Sequence, residues 1–235
     1  MPDVRSSLFQ SAPPRVIATI GTEAGWRLAE KLVSGDPQCP DWLEIRADLL
    51  LENDTKLPGI QQQLPLPFLL TVRHPSEGGK GPADSESRAA IYEEFCTGAA
   101  AVDVELAHAE DLSTWLATAK EHGIACVLSS HDFTGTPTLA TLREMATQAA
   151  SLGADLLKVA CTTNSVAELS TLLQWVETED HLPVAAMGMG RFGKISRPLL
   201  AQLGSRLNYG YLDAPVVPGQ WPASELRRVI DSLPE

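Results

Sequence analysis

Residues 153–163, GADLLKVACTT, read as a buried strand between two segments of helical period. Upstream, TPTLATLREMATQAASLG (136–153) puts Leu139, Leu142, Met145, Ala146 and Ala149 on one helical face. Pro137 suits the first helical turn and Gly153 the stop. Downstream, NSVAELSTLLQWVE (164–177) carries the stripe Val166, Leu169, Leu173 and Val176. An apolar strand between amphipathic helices is the unit of a parallel sheet with helices outside it. The unit recurs on both sides. Strand-like runs stand at RVIATIG (15–21), DWLEIRADLL (41–50), LPFLLTVRH (66–74), AAVDVEL (100–106), GIACVLSSHDF (123–133), LPVAAMGM (182–189) and RLNYGYLDAP (206–215), the last being the weakest. About eight α/β repeats in 235 residues favour a single-domain (β/α)8 TIM barrel over an open sheet. Residues 1–14 read as a short, poorly ordered leader without the apolar core of a secretory signal, and 15–235 as the barrel catalytic domain. The Pro/Gly-rich stretches 78–82 and 215–222 each follow a strand, so both read as βα loops, where barrel chemistry gathers.

The formal net charge of −12 argues against nucleic acid or an anionic membrane as partner, since both need basic surface. It leaves room for a small anionic substrate met by a local arginine cluster. No apolar run has membrane-spanning length. Cys39, Cys96, Cys126 and Cys161 form neither a C-x-x-C pair nor a Cys/His zinc pattern, which points to reduced thiols and the cytoplasm.

Lys158 is the residue in the opening stretch that needs a reason, because its amine lies among Leu156, Leu157, Val159 and Ala160. Burial beside another cation favours the neutral amine, which attacks carbonyls to form a Schiff base. The bland reading is a lysine that snorkels from the strand end. Other ionisable residues cluster at strand ends. Glu44, Arg46 and Asp48 are spaced by two, so an extended chain aims all three to one side. Arg73 closes the third strand and Glu77 lies in the loop beyond it. Asp103 and Glu105 share one face, as do Ser129 and His131; Arg197 and Gln220 follow the seventh and eighth strands. Each has a structural alternative: a buried Glu44–Arg46 ion pair, polar barrel residues at Asp103 and Glu105, a turn-forming His131, solvated arginines. Convergence on one barrel rim favours the functional reading.

Gly188-x-Gly190-x-x-Gly193 matches a dinucleotide fingerprint, with Asp213 downstream as the ribose acid. Too little chain follows it to build a nucleotide domain. A glycine-rich loop leading to Arg197 instead lets backbone approach a small anion.

The segments EIRAD, TVRHPSEGG, VDVEL, SSHDF, LLKVA, MGMGRFGKISR and VVPGQ, in this order after successive strands, resemble the type I 3-dehydroquinate dehydratase (3-dehydroquinase) family. The resemblance implies a (β/α)8 barrel with no metal and no organic cofactor. It implies loss of water from 3-dehydroquinate to give 3-dehydroshikimate, an elimination in which Lys158 forms the Schiff base and His131 moves the proton. By the same resemblance Glu77 orients His131, and Glu44, Arg46 and Arg73 hold ring hydroxyls and the polar network. Arg197 pairs with the substrate carboxylate, Gln220 closes over the substrate, and Met187 packs on the ring. Asp48 and Asp103 match motif positions and support the site. The family's last loop usually reads S-A-P-G-Q; here it is Val216-Val217-Pro218-Gly219-Gln220, and Val216 has no hydroxyl to donate. The leader also looks short for the hairpin that usually plugs the barrel base. Many family members are homodimers, though no segment of this sequence marks an interface. Two other functions are compatible with parts of the pattern: a Schiff-base aldolase using the glycine-rich segment for phosphate, and a non-catalytic regulator that binds dehydroquinate.

Overall fold

The computed structural model describes residues 8–9, 13–52, 64–217 and 219–233; the rest of the expected leader, and Pro218 of the last loop, lie outside them. The elements alternate as β1 (Arg15–Ile20), α1 (Glu23–Ala29), β2 (Trp42–Arg46), α2 (Ala47–Glu52), β3 (Phe68–Thr71), α3 (Ser85–Phe95), β4 (Ala101–Glu105) and α4 (Ser113–Glu121). They continue as β5 (Ala125–Asp132), α5 (Leu139–Ser151), β6 (Leu156–Thr162), α6 (Val166–Thr178), β7 (Val184–Met189), α7 (Gly193–Gln202), β8 (Leu207–Tyr211) and α8 (Ala223–Asp231). A two-residue strand, β9 (Trp221–Pro222), pairs in parallel with β8 inside the last connection, where the sequence predicts only loop. The sheet runs β7-β6-β5-β4-β3-β2-β1-β8-β9. The seam between β7 and β8 is bridged by the Arg206 N–H on the Val184 carbonyl (2.9 Å) and by Ser205 Oγ, which accepts the Ala186 N–H at 3.0 Å. This is the expected (β/α)8 arrangement.

Successive side chains on each strand face opposite sides, and the barrel separates them into two cores. Outward residues such as Ile20, Leu43, Leu70, Val102 and Leu157 pack with Leu142, Leu172, Trp175 and Leu226 from the helices. Inward residues Ile17, Trp42, Leu69, Ala101, Val127, Leu156, Ala185 and Leu207 form a second, apolar layer low in the barrel. Two residues further along the same faces the layer turns polar, with Thr19, Glu44, Thr71, Asp103, Ser129 and Lys158 all buried. Register sets Thr19 beside Glu44, Thr71 beside Asp103 and Ser129 beside Lys158.

Phe9 closes the base. It is fully buried among the inward residues, its ring centroid 6.0 Å from that of Trp42, and Arg15 Nη1 holds the Leu8 carbonyl at 2.7 Å. At this position the leader is packed, not loose, because an open barrel bottom would leave Ile17 and Trp42 wet.

Two helix details differ from the expected pattern. α5 is capped by Thr138, whose hydroxyl accepts the Thr141 N–H, so Pro137 precedes the helix and does not lie in its first turn. α6 starts with a Ser165/Glu168 capping box and buries Leu169, Leu172, Trp175 and Val176. Val166, its first residue, is 70% exposed, because it precedes the turn that reaches the sheet.

Candidate active site

Polar side chains at the top of the barrel interior form one buried network. Lys158, 3% exposed on β6, places Nζ 2.7 Å from Asp103 Oδ2 and 3.4 Å from Glu44 Oε1, with the Tyr209 ring centroid 4.2 Å away. The contacts expected for this amine were cations; the structure supplies two carboxylates and an aromatic face. Glu44 is held further by the hydroxyls of Thr19 (2.9 Å) and Thr71 (3.0 Å). The alternative Glu44–Arg46 ion pair does not form. Arg46 instead makes a bidentate pair with Asp48, Nε to Oδ1 at 2.9 Å and Nη2 to Oδ2 at 2.8 Å. Asp48 is on α2, not on an extended run, so the spacing of two misplaced it. Its Oδ2 also accepts the Lys80 N–H, tying the loop after β3 to the rim.

Arg73, 2% exposed, ties β3 to β4 and β5. It reaches Asp103 and Glu105 at 2.9 Å each and Ser129 Oγ at 2.7 Å. Ser129 Oγ in turn donates a hydrogen bond to Asp103 Oδ1 at 2.6 Å. Burial opposes charge on Asp103, but Arg73 and then Lys158 outweigh it and hold the carboxyl well below its usual range. Glu105 is shared between Arg73 and Arg88, a buried arginine of α3 that also donates to the Val72 carbonyl.

His131, near the end of β5, is anchored twice by one oxygen. Glu77 Oε2 lies 2.8 Å from its Nδ1 and 2.9 Å from its backbone N–H. Burial, Arg73 and Lys158 push the imidazole well below its ordinary pKa, while burial lifts Glu77 to about 7 against the pull of Arg73. A neutral imidazole with Nδ1–H on a carboxylate leaves Nε2 free to act as a base.

These side chains line a cavity of about 160 Å³, room for one small molecule and not for a dinucleotide. Thr19, Glu44, Arg46, Arg73, Glu77, His131 and Lys158 border it, as do Met187, Arg197 and Gln220. Arg197 is 2% exposed on α7; its Nη1 donates to the Tyr209 carbonyl at 2.8 Å. Its Nε has no partner, and no carboxylate pairs with it among the described residues. Burial lowers its pKa to about 10, so it stays charged at neutral pH and suits an anionic ligand. Gln220 uses Oε1 on the N–H groups of Val216 (2.7 Å) and Val217 (3.3 Å), so its acceptor serves its own loop.

A model of the family described as type I 3-dehydroquinase matches residues 27–234. The chain belongs to this family. A 3-dehydroquinate dehydratase of Methanothrix thermoacetophila is 32% identical over 221 residues, covering 94% of this chain and 92% of that protein. One of Listeria welshimeri is 34% identical over 215 residues, covering 87% and 85%. The crystal structure of 3-dehydroquinate dehydratase from Geobacillus kaustophilus HTA426 superposes with a TM-score of 0.80 at 29% identity, covering 94% of this chain and 91% of that one.

Within this type I 3-dehydroquinase the glycine-rich segment serves packing. Gly188 lies in β7, and a Cβ there would meet Ser196 Oγ at 2.8 Å and Thr163 Oγ1 at 3.0 Å. Glycine lets α7 close on the strand, which brings Arg197 to the cavity. Three of the segment's amides are taken: Gly188 N–H by Ser196 Oγ, Arg191 N–H by Asn164 Oδ1 and Phe192 N–H by the Thr163 carbonyl, each at 3.0 Å. These three are not free to cradle an anion, whereas the guanidinium of Arg197, which has no carboxylate partner among the described residues, borders the cavity. Sequence reasoning missed Tyr209, Phe133 and Met189 as cavity walls. Tyr209 and Met189 were legible from the period of two along β8 and β7, whereas Phe133 reaches the cavity from a loop. Among the described residues no cluster of three or more His, Cys, Asp or Glu is placed to hold a metal, and no helix is long and apolar enough to cross a membrane.

Proposed function

We propose that this chain eliminates water from 3-dehydroquinate, giving 3-dehydroshikimate, through a Schiff base on Lys158. Family membership carries the reaction: this is a hydro-lyase of the shikimate pathway. The observation that supports the assignment of residues is Lys158 in the cavity wall, one strand from His131 and on the same barrel face. The ketone enters between the amine and its two carboxylates. Lys158 adds to it and water leaves, so the substrate becomes a cationic iminium that draws electrons from the neighbouring carbon. His131 Nε2 takes the proton from that carbon, the enamine expels the β-hydroxyl, and the imidazolium returns the proton to it as water. Hydrolysis then frees Lys158. Glu77 fixes the tautomer of His131. Glu44, Arg46 and Arg73 meet the ring hydroxyls, Met187 packs on the ring, and Gln220 covers it. Asp48 and Asp103 position Arg46 and Lys158.

Borohydride reduction during turnover tests the reading: mass spectrometry should find dehydroquinate-derived mass fixed on Lys158. Sugar phosphates should leave no adduct, since the amides of Gly188 and Arg191, in the segment an aldolase would use for phosphate, are already bonded within the protein. A wild-type protein that is never trapped, or that binds dehydroquinate without raising enone absorbance, would sink it.

Two further outcomes follow. Arg197→Ala should raise KM for 3-dehydroquinate by about 10²-fold, because a charge-assisted, bidentate contact of roughly 1.5–3 kcal/mol disappears; steady-state kinetics reads it. The second concerns pH. Ionised Glu77 accepts from His131 more strongly than the protonated acid does, and burial has raised its pKa to about 7. Its ionised population therefore falls as pH drops through that value, and kcat should show an acid limb near pH 7. The protons belong to the Glu77–His131 pair. Glu77→Gln should lower kcat about tenfold and flatten the limb.

We assign the protein to the cytoplasm, as supported by its four free cysteines. A catalytic unit spanning 15–235, working on a small molecule as a homodimer, is the reading that the resemblance supports. Phe9, upstream of those bounds, packs against the base of the unit.

A further inference from the structure

We infer that His74 is a positioning residue for the dehydration: its imidazole caps the turn that carries Glu77 and so holds Glu77 on His131. This inference rests on the roles proposed above. The turn Pro75–Glu77 is a single 3-10 helical turn. His74 is its N-cap, and Nδ1 accepts the Ser76 N–H at 3.1 Å. The opposite nitrogen lies 3.1 Å from the Ala83 carbonyl at the far end of the loop. Accepting at one nitrogen and facing an acceptor at the other defines one state, a neutral ring with its proton on Nε2. The backbone of the same residue is equally committed. Its N–H donates to Glu105 Oε1 at 2.9 Å, and its carbonyl accepts from Glu77 (3.0 Å) and Gly79 (3.1 Å). His74 thus joins the buried Arg73–Glu105 pair to the segment that delivers Glu77.

Other groups pack the ring in place. His108, from the turn after β4, stacks on it with centroids 3.9 Å apart. Ser76 Oγ lies 2.7 Å from His74 Nδ1 and 3.4 Å from His108 Nε2, and Asp111 stands 3.8 Å from the far side of His108. Arg73 and Glu77 flank it along its own segment. A side chain that cannot accept at this position would leave the Ser76 N–H without its cap. The cap would open, and Glu77 would swing from burial into solvent.

Two substitutions separate the cap from the rest of the ring. Asn carries its amide oxygen where Nδ1 stands and can accept from the residue two further on. Gln carries its amide where Nε2 stands and can reach Ala83 but not Ser76. His74→Asn is expected to keep kcat within about twofold of wild type. His74→Gln is expected to lose about five- to tenfold in kcat with KM unchanged, and to move the acid limb of kcat to lower pH as Glu77 becomes solvated. Borohydride should still trap an adduct on Lys158 in both. The inference is overturned if His74→Gln keeps the wild-type rate and limb, if His74→Asn is as impaired as His74→Gln, or if trapping fails along with kcat, which would mark collapse of the site. A wild-type protein that is not trapped would overturn the underlying reaction scheme and this inference with it; a trapped wild type beside an unaffected His74→Gln removes this inference alone.

Discussion

Lys158→Ala should leave no turnover of 3-dehydroquinate above background, a loss of roughly 10⁵-fold or more, because no other group takes over a covalent nucleophile. Borohydride with substrate should add no mass. The loss has to be separated from unfolding. Removing the amine strips Asp103 Oδ2 and Glu44 Oε1 of their shared cation, and breaking a buried pair by removing one partner commonly costs about 3–5 kcal/mol. Part of that is offset here. Asp103 keeps Arg73 and Ser129, and Glu44 keeps the hydroxyls of Thr19 and Thr71. The variant should therefore unfold cooperatively at a lower midpoint while remaining folded in the assay. A thermal melt beside the rate measurement checks both, and residual turnover with an intact barrel would assign the Schiff base to another amine.

His131→Ala should separate the two halves of the chemistry. Iminium formation needs the amine and the ketone, whereas proton removal needs the imidazole. The variant is expected to accumulate a borohydride-trappable adduct on Lys158 while kcat falls by about 10²–10⁴-fold, the usual span for a general base. Single turnover followed by mass spectrometry reads adduct and product together. Wild-type kcat in this variant would move the proton transfer elsewhere; loss of the adduct would mean that His131 also assists carbinolamine formation.

The barrel was legible because each repeat states its own face. Trp42, Glu44 and Arg46, or Leu156, Lys158 and Ala160, alternate inward with a strict period of two, and the helices between strands carry period 3.6. Candidate site residues were legible for the same reason: a polar residue at an inward strand position is rare enough to need an explanation. What stayed hidden was pairing. Glu44 and Arg46 look like partners along the chain, yet Glu44 finds its partner through space, 114 residues away at Lys158, and Arg46 turns to Asp48, two residues on at the start of a helix. The amine of Lys158 was expected among cations because sequence shows which charges are near in order and not which are near across a barrel. Phe9 was illegible as a plug, since one aromatic in a polar leader has no period to reveal it. His74 gave no signal at all; its importance lies in two hydrogen bonds that its neighbours in sequence do not announce.

The described residues of the strap over the cavity are tied to one another and to the neighbouring helix. Gln220 Oε1 grips the amides of Val216 and Val217, and Trp221 is fastened through Nε1 to the Lys194 carbonyl, so these side chains are tied to their own loop and to α7. A guest beneath it does not bear the entropy of winding a loose loop, so affinity reflects the wall more than the roof. The toll moves to the doorway: molecules must slip past a tied strap whose inner face is two valines, and evolution of this enzyme's speed would act on how often the Gln220 knot loosens.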